Sequence, residues 1–113
     1  MNKATRAIAR FWEQYGEPIT VEPYEGESHH GPSYGSALIR EVWRSDEQRT
    51  VTGPDGTTVL VTSVLYGPLE YAQDFPPRSL VRFQDGTSGI VQARQVFAAH
   101  GGPFPEHIEV SVG

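Results

Sequence analysis

The chain has no cysteine. That excludes a disulfide framework, thiolate metal sites and cysteine nucleophiles. Long apolar runs are missing as well. The longest apolar-leaning stretch, Val59–Tyr66, is interrupted by Thr62 and Ser63 and is far too short to span a bilayer. Residues 1–20 hold no apolar signal-peptide core, so a soluble protein made in a cytoplasm, with no membrane partner, is expected. There is no basic surplus either: the formal net charge is −5. A protein that grips nucleic acid by its phosphates carries a basic surface, which this balance argues against.

The recurring patterns of catalysis are equally absent. His29 and His30 adjoin, and Glu27, His100 and His107 are further ligand types. Zinc needs three or four convergent ligands, whereas adjacent residues on an extended chain point opposite ways. No His-x-x-x-His and no Asp-rich calcium pattern occurs, so no metal is expected. No Gly-x-Ser-x-Gly elbow names a nucleophile. Glu70 and Asp74 lie four apart in a Pro-rich stretch, where no helix face need align them as an acid–base pair. "GPDG" and "GTSG" lack the Lys-Ser/Thr ending of a phosphate loop and read as hairpin turns. Phe83 and Phe97 offer a stacking platform for bases, but core packing is the ordinary role of strand aromatics. The expectation is a protein without catalytic residues and without a cofactor.

What is present points to a turn-rich β protein. The 113 residues suffice for one domain, residues 1–113, with one modest core. Apolar residues make up 37%, enough to fold, and the 12 Gly and nine Pro favour strands and turns over a helical bundle. Ala4, Ala7, Ile8, Phe11, Trp12 and Tyr15 form one apolar stripe on a helix predicted over about 3–15, ended by Gly16 and Pro18. Short strands are predicted from about residue 18 to 112. "PITVEPY" places Ile19 and Val21 on one face, and "SALIREVWRS" carries apolar residues on both faces. "QRTVT", "GPDG" and "TTVLVTSVLY" read as a hairpin, and "SLVRFQDGTSGIVQARQVF" as a second around Asp85-Gly86. "HIEVSV" closes the chain with Ile108, Val110 and Val112 on one face. The fold class is therefore mainly β: a small antiparallel barrel or sandwich with one short N-terminal helix and two long loops.

Those two connections, Gly26–Gly35 and Gly67–Ser79, stand out because long loops in a small domain are usually functional or disordered. The first contains "GESHHGPSYG", and its glycines allow the chain to bend and swing. Charge is also uneven. Lys3, Arg6 and Arg10 come first, then Glu13, Glu17, Glu22, Glu25 and Glu27 with no base between.

In order and spacing, the chain resembles the head-to-tail connector proteins of long-tailed bacteriophages, and more narrowly their head-closure, or stopper, type. The resemblance runs over nearly the whole chain. It rests on a short helix followed by "ITVEPYEGESHHGPSYG", a strand "SALIREVWRS", the hairpin "VTGPDGTTVLVTSVLY", the unit "PPRSLVRFQDGTSGIVQARQVF" and the ending "HGGPFPEHIEVSVG". It implies a structural virion protein at the neck, assembled in the host cytoplasm. Copies would form a ring that closes the DNA-filled head and docks the tail. Its neighbours would be a portal or adaptor protein on the head side and a tail terminator or tail tube protein on the tail side. DNA would pass through without sequence-specific binding. The implied gating or ring-contact loop holds Gly26, Glu27, His29, His30, Gly31, Tyr34 and Gly35, with Glu27 repelling phosphates and Tyr34 anchoring the loop's exit. The alternative loop offers Tyr71, Asp74 and Phe75, and the helix stripe Ile8, Phe11 and Trp12 is the candidate contact with a neighbour. Another neck component, adaptor or tail terminator, and a small β-barrel protein-binding module are the alternative readings.

Overall fold

The computed structural model describes residues 14–98 and 106–113. Gln14 and Tyr15 are helical; the rest of the predicted helix, with Ile8, Phe11 and Trp12, lies outside the described residues, as does His100. Ten strands follow: β1 (Glu17–Glu22), β2 (Tyr24–Ser28), β3 (Gly31–Tyr34), β4 (Leu38–Ser45), β5 (Arg49–Thr52), β6 (Thr58–Val61), β7 (Ser63–Gly67), β8 (Leu80–Arg82), β9 (Ser88–Phe97) and β10 (His107–Val112). Six of them close into an antiparallel barrel in the order β1-β4-β7-β10-β9-β8. Closure leaves these strands without a free edge. The other four form two separate hairpins, β2–β3 and β5–β6.

Alternation explains most of the core. Ile19 and Val21 of β1, Val81 of β8, Val91 of β9 and Ile108, Val110 and Val112 of β10 all point inward and are buried. β4 breaks this simple pattern. Ile19 sits opposite Arg40, and Val21 opposite Leu38, so Leu38, Arg40, Val42 and Arg44 share the inward face. Ile39 and Trp43 face outward, 69% and 42% exposed. Two arginines on an inward face are tolerated because each lies toward one end of the barrel and finds both a ring and a carboxylate. Arg40 donates to Asp74 at 2.7 Å and lies 5.2 Å from the Tyr71 ring centre. Arg44 lies 3.9 Å from the Phe83 ring centre and donates to Asp85 at 3.1 Å. Their hydrocarbon stems pack while their charges are met at the rim. The Arg44 Nε is buried and makes no hydrogen bond. Asp46, at 3.4 Å, supplies attraction of charge without hydrogen-bond geometry.

The sequence run "TTVLVTSVLY" is not one strand. It breaks at Thr62, whose N–H donates to the Val112 carbonyl at 3.2 Å. β6 pairs only with β5, while β7 enters the barrel between β4 and β10. Two turns share one device. In each, an aspartate accepts from the threonine two residues on: Asp55 from the Thr57 N–H at 3.1 Å, and Asp85 from the Thr87 N–H at 2.9 Å. The intervening Gly56 and Gly86 sit at φ 86° and 89°, a region glycine enters without strain. The Thr87 hydroxyl and then the Thr87 N–H, with the Arg44 contact after them, hold the Asp85 carboxyl down to about 2.

On the outer wall, Trp43 packs against Tyr66 with ring centres 5.2 Å apart. The Tyr66 hydroxyl donates to Glu47 at 2.7 Å, and Arg49 reaches Glu47 at 3.1 Å and Glu109 at 3.5 Å. This network fastens the segment leading into β5 to β7 and β10. Burial first, and then the Glu47 carboxylate, push the Tyr66 phenol up to about 12. The sign follows. A phenol raised in the folded state stabilises it fully below the ordinary value near 10, and that contribution is lost as pH rises through about 12. In an alkaline absorbance titration, the Tyr66→Phe variant is expected to lack one late phenolate step present in the native chain. An unchanged titration would mean that Tyr66 is not held in this network.

The connection Gly67–Ser79, predicted as a long loop, contains a 3-10 helix, Leu69–Asp74, that closes one end of the barrel. Phe75 follows it and is fully buried. Arg94 donates to the Ala72 carbonyl from β9. Pro76–Ser79 then forms a tight turn in which the Ser79 N–H donates to the Pro76 carbonyl at 3.1 Å.

Candidate functional site: the β2–β3 hairpin and its base

The segment Gly26–Gly35 is an ordered hairpin rather than the long loop predicted from its composition. Glu27 faces Pro32 and Ser28 faces Gly31, with His29 and His30 at the turn. Its glycines and Pro32 disguised it. Pro32 lacks a donor, which a two-stranded sheet tolerates on an outer side. Gly26, at φ 124°, lies where the register shifts between Tyr24 and Gly26, and Gly31, at φ 102°, completes the turn. The positive φ angles serve a fixed bulge and a fixed turn. The Ser28 hydroxyl donates to the Gly31 carbonyl at 2.9 Å and accepts from the His30 N–H at 3.3 Å.

The base of the hairpin is tied to the barrel. Tyr24 and Tyr34, opposite each other at the two ends of the hairpin, meet edge to face with ring centres 6.2 Å apart. The Gly35 N–H donates to the Pro23 carbonyl at 2.7 Å. A Cβ at Gly35 would stand 2.7 Å from the Glu25 carboxylate, the far end of a flexible, exposed side chain that can swing away. The Tyr24 N–H donates at 2.9 Å to the hydroxyl of Ser79, itself fully buried. Glu25, next to the base, and Glu27, His29 and His30, toward the turn, are exposed. Glu27 accepts from the Tyr24 hydroxyl at 2.8 Å, and this bond raises the Tyr24 phenol above its usual range.

The remaining candidates are distributed elsewhere. Tyr71 is packed against the core, Asp74 is paired with Arg40, and Phe75 is inside. Moving this segment aside would open the barrel end and expose Phe75, so the hairpin is the lighter element to displace. Glu70 is exposed while Asp74 is engaged with Arg40, and they form no pair. Among the described residues no three His, Asp or Glu side chains converge on a metal-sized point. Phe83 is buried beneath Arg44, whereas Phe97 stacks on His107 at 4.6 Å, so the two make no common platform. Three clefts lined by described residues hold about 250 Å³, 200 Å³ and 220 Å³, each below the roughly 300 Å³ at which small-molecule sites begin.

Sequence reasoning missed one residue at the hairpin base. Arg78 occupies the third position of the Pro76–Ser79 turn at φ 78°, the one non-glycine positive φ among the described residues. That position ordinarily takes glycine or asparagine. "PPRS" signals a turn through its prolines, but nothing in it signals an arginine in the left-handed region. The Arg78 guanidinium lies 5.8 Å from the Tyr24 ring centre. Comparison with protein-family models, with curated proteins and with solved structures finds no match to this chain.

Proposed function

We propose that this chain is a structural connector of a long-tailed phage: a head-closure subunit that works in a ring at the junction of head and tail. The observation that carries the reading is the β2–β3 hairpin. It is a preformed acidic arm standing off a closed barrel, at the place where the resemblance puts a gating or ring-contact element. A closed barrel is a rigid mount, because it has no free edge to slip or to recruit a stray strand. Exposed carboxylates at Glu25 and Glu27 suit an arm beside passing DNA, since like charge keeps phosphates from adhering. Among the described residues the hairpin is bonded to the rest of the fold chiefly from Tyr24 to Ser79, while the Gly35 bond to Pro23 ties its two ends together. An element held this way can move as a unit at small cost. In this reading neighbouring subunits supply the ring, a portal or adaptor ring lies above, and a tail component docks below.

The test is the location of the polypeptide. Electron microscopy of intact particles carrying a tagged chain is expected to show density in a ring beneath the portal vertex. Particles with the tag elsewhere, or without it, would overturn the proposal.

A further inference from the structure

The turn Pro76–Ser79 meets the β2–β3 hairpin twice. The Ser79 hydroxyl accepts from the Tyr24 N–H at 2.9 Å, and the Arg78 guanidinium lies 5.8 Å from the Tyr24 ring centre. The second contact starts from a backbone at φ 78°, where an arginine is strained and a glycine is not. A strained residue persists only where its surroundings over-determine it. Here they do. The Arg78 N–H donates to the Val91 carbonyl at 2.7 Å, the Val91 N–H to the Ser79 carbonyl at 2.9 Å, and the Ser79 hydroxyl to the Pro76 carbonyl at 2.6 Å. The guanidinium therefore extends from a fixed backbone, which lowers the ordering cost of any contact it makes.

Arg78 also lines a cleft of about 200 Å³ together with Pro54, Asp55 and Thr57 of the β5–β6 turn and Gln92 of β9. Asp55 is the carboxylate of that cleft. Both bonds from Thr57 reach its Oδ1, the N–H at 3.1 Å and the hydroxyl at 2.7 Å, which leaves Oδ2 for a cation. The Thr57 hydroxyl and N–H do most to hold the Asp55 carboxyl below its usual range, and the Arg78 charge adds to them. On the other side, the bond to Glu27 raises the Tyr24 phenol and the Arg78 guanidinium opposes that rise. One cation thus stands between the base of one hairpin and the turn of the other. Among the described residues those two hairpins share no strand pairing, so side-chain contact is what relates their positions.

We propose that Arg78 is a positioning residue that couples the two hairpins: it ties the Tyr24 ring at the base of β2–β3 to the Asp55 turn of β5–β6, so that displacing either hairpin loosens the hold on the other. Coupling of this kind is reciprocal. Amide hydrogen exchange of the full chain, read residue by residue, is the measurement. The Tyr24 and Gly35 N–H groups report the base of the arm, and the Val91 N–H reports the Pro76–Ser79 turn. Arg78→Gly suits φ 78° and removes the cation. It is expected to melt no lower than the native chain, to leave Val91 unchanged, and to speed exchange at Tyr24 and Gly35 about two- to five-fold, the worth of an exposed cation–ring contact. Arg78→Lys keeps a cation and is expected to exchange there as the native chain does. Asp55→Asn keeps an oxygen for Thr57 and removes only the charge. It is expected to speed the same two amides about two-fold, although it lies on the other hairpin. The double variant Arg78→Gly with Asp55→Asn is expected to be no faster than Arg78→Gly alone, because one tie is lost only once. Base amides unmoved by Arg78→Gly or by Asp55→Asn, lysine behaving as glycine does, or effects that add in the double variant would each overturn the coupling. Faster exchange at Val91 as well would overturn it too, since the turn rather than the guanidinium would then hold the arm. The inference goes beyond the connector reading and is separable from it. Coupled hairpins with no ring in particles would remove the proposed function alone, and a ring built from uncoupled hairpins would remove this inference alone.

Discussion

Replacing Phe75 by alanine is expected to lower stability by about 3–5 kcal/mol, the range for losing a buried aromatic side chain. Phe75 heads the fully buried side chains of the core by size. It follows directly on the 3-10 helix, so it is the side chain that holds that lid on the barrel. Removing its ring takes away apolar burial and leaves a cavity that the closed barrel can collapse into only partly. The rigid pairing of β9 with β10 and of β10 with β7 limits that relaxation. Denaturant unfolding followed by tryptophan fluorescence would measure it, with the midpoint falling and the slope unchanged. For a small domain whose total stability is about 5–15 kcal/mol, this is a large share. A loss below about 1 kcal/mol would mean that Phe75 does not close the barrel end.

Shortening the hairpin is expected to have the opposite profile: little effect on folding and a large effect on function. Tyr24 and Tyr34 face each other across β2 and β3. Replacing Glu25–Ser33 by an Asn-Gly pair therefore joins them by a two-residue turn of the favoured kind. The variant keeps the Tyr24 bond to Ser79, the Gly35 bond to Pro23 and every barrel strand. Its melting temperature should stay within a few degrees of the native value, since an isolated two-stranded hairpin adds little stability of its own. If the hairpin is the gate, particles assembled with this variant should lose packaged DNA. Native levels of DNA retention would remove the hairpin from that role. Loss of folding would show that it belongs to the core instead.

Much of the fold was legible in the residues. The alternation in "PITVEPY" and "HIEVSV" marked Ile19, Val21, Ile108, Val110 and Val112, and all are buried. The Asp-Gly pairs at Asp55 and Asp85 marked turns, because the chemistry of such a turn is local: an aspartate side chain, a glycine and the next threonine suffice. The candidate site was legible only in outline. The glycines of "GESHHGPSYG" suggest freedom, whereas Gly26 and Gly31 are bends built into paired strands. Whether a short polar segment pairs with itself depends on its base being held together. Here Ser79, 55 residues away from Tyr24, helps to do that.

The sequence by itself determined the class of the protein: strands and turns in a single short chain, a core of alternating valines and isoleucines, and an acidic balance. Only the tertiary structure decided the order β1-β4-β7-β10-β9-β8, the break at Thr62, the inward face of β4 and the strained place of Arg78. The physical reason is the range of the interactions. Periodicity records which residues share a face. It does not record which face turns inward, because an arginine can point into a barrel when a ring and a carboxylate from distant strands wait at its rim. Arg40 and Arg44 do so only because the closed sheet brings Tyr71, Asp74, Phe83 and Asp85 to its two ends.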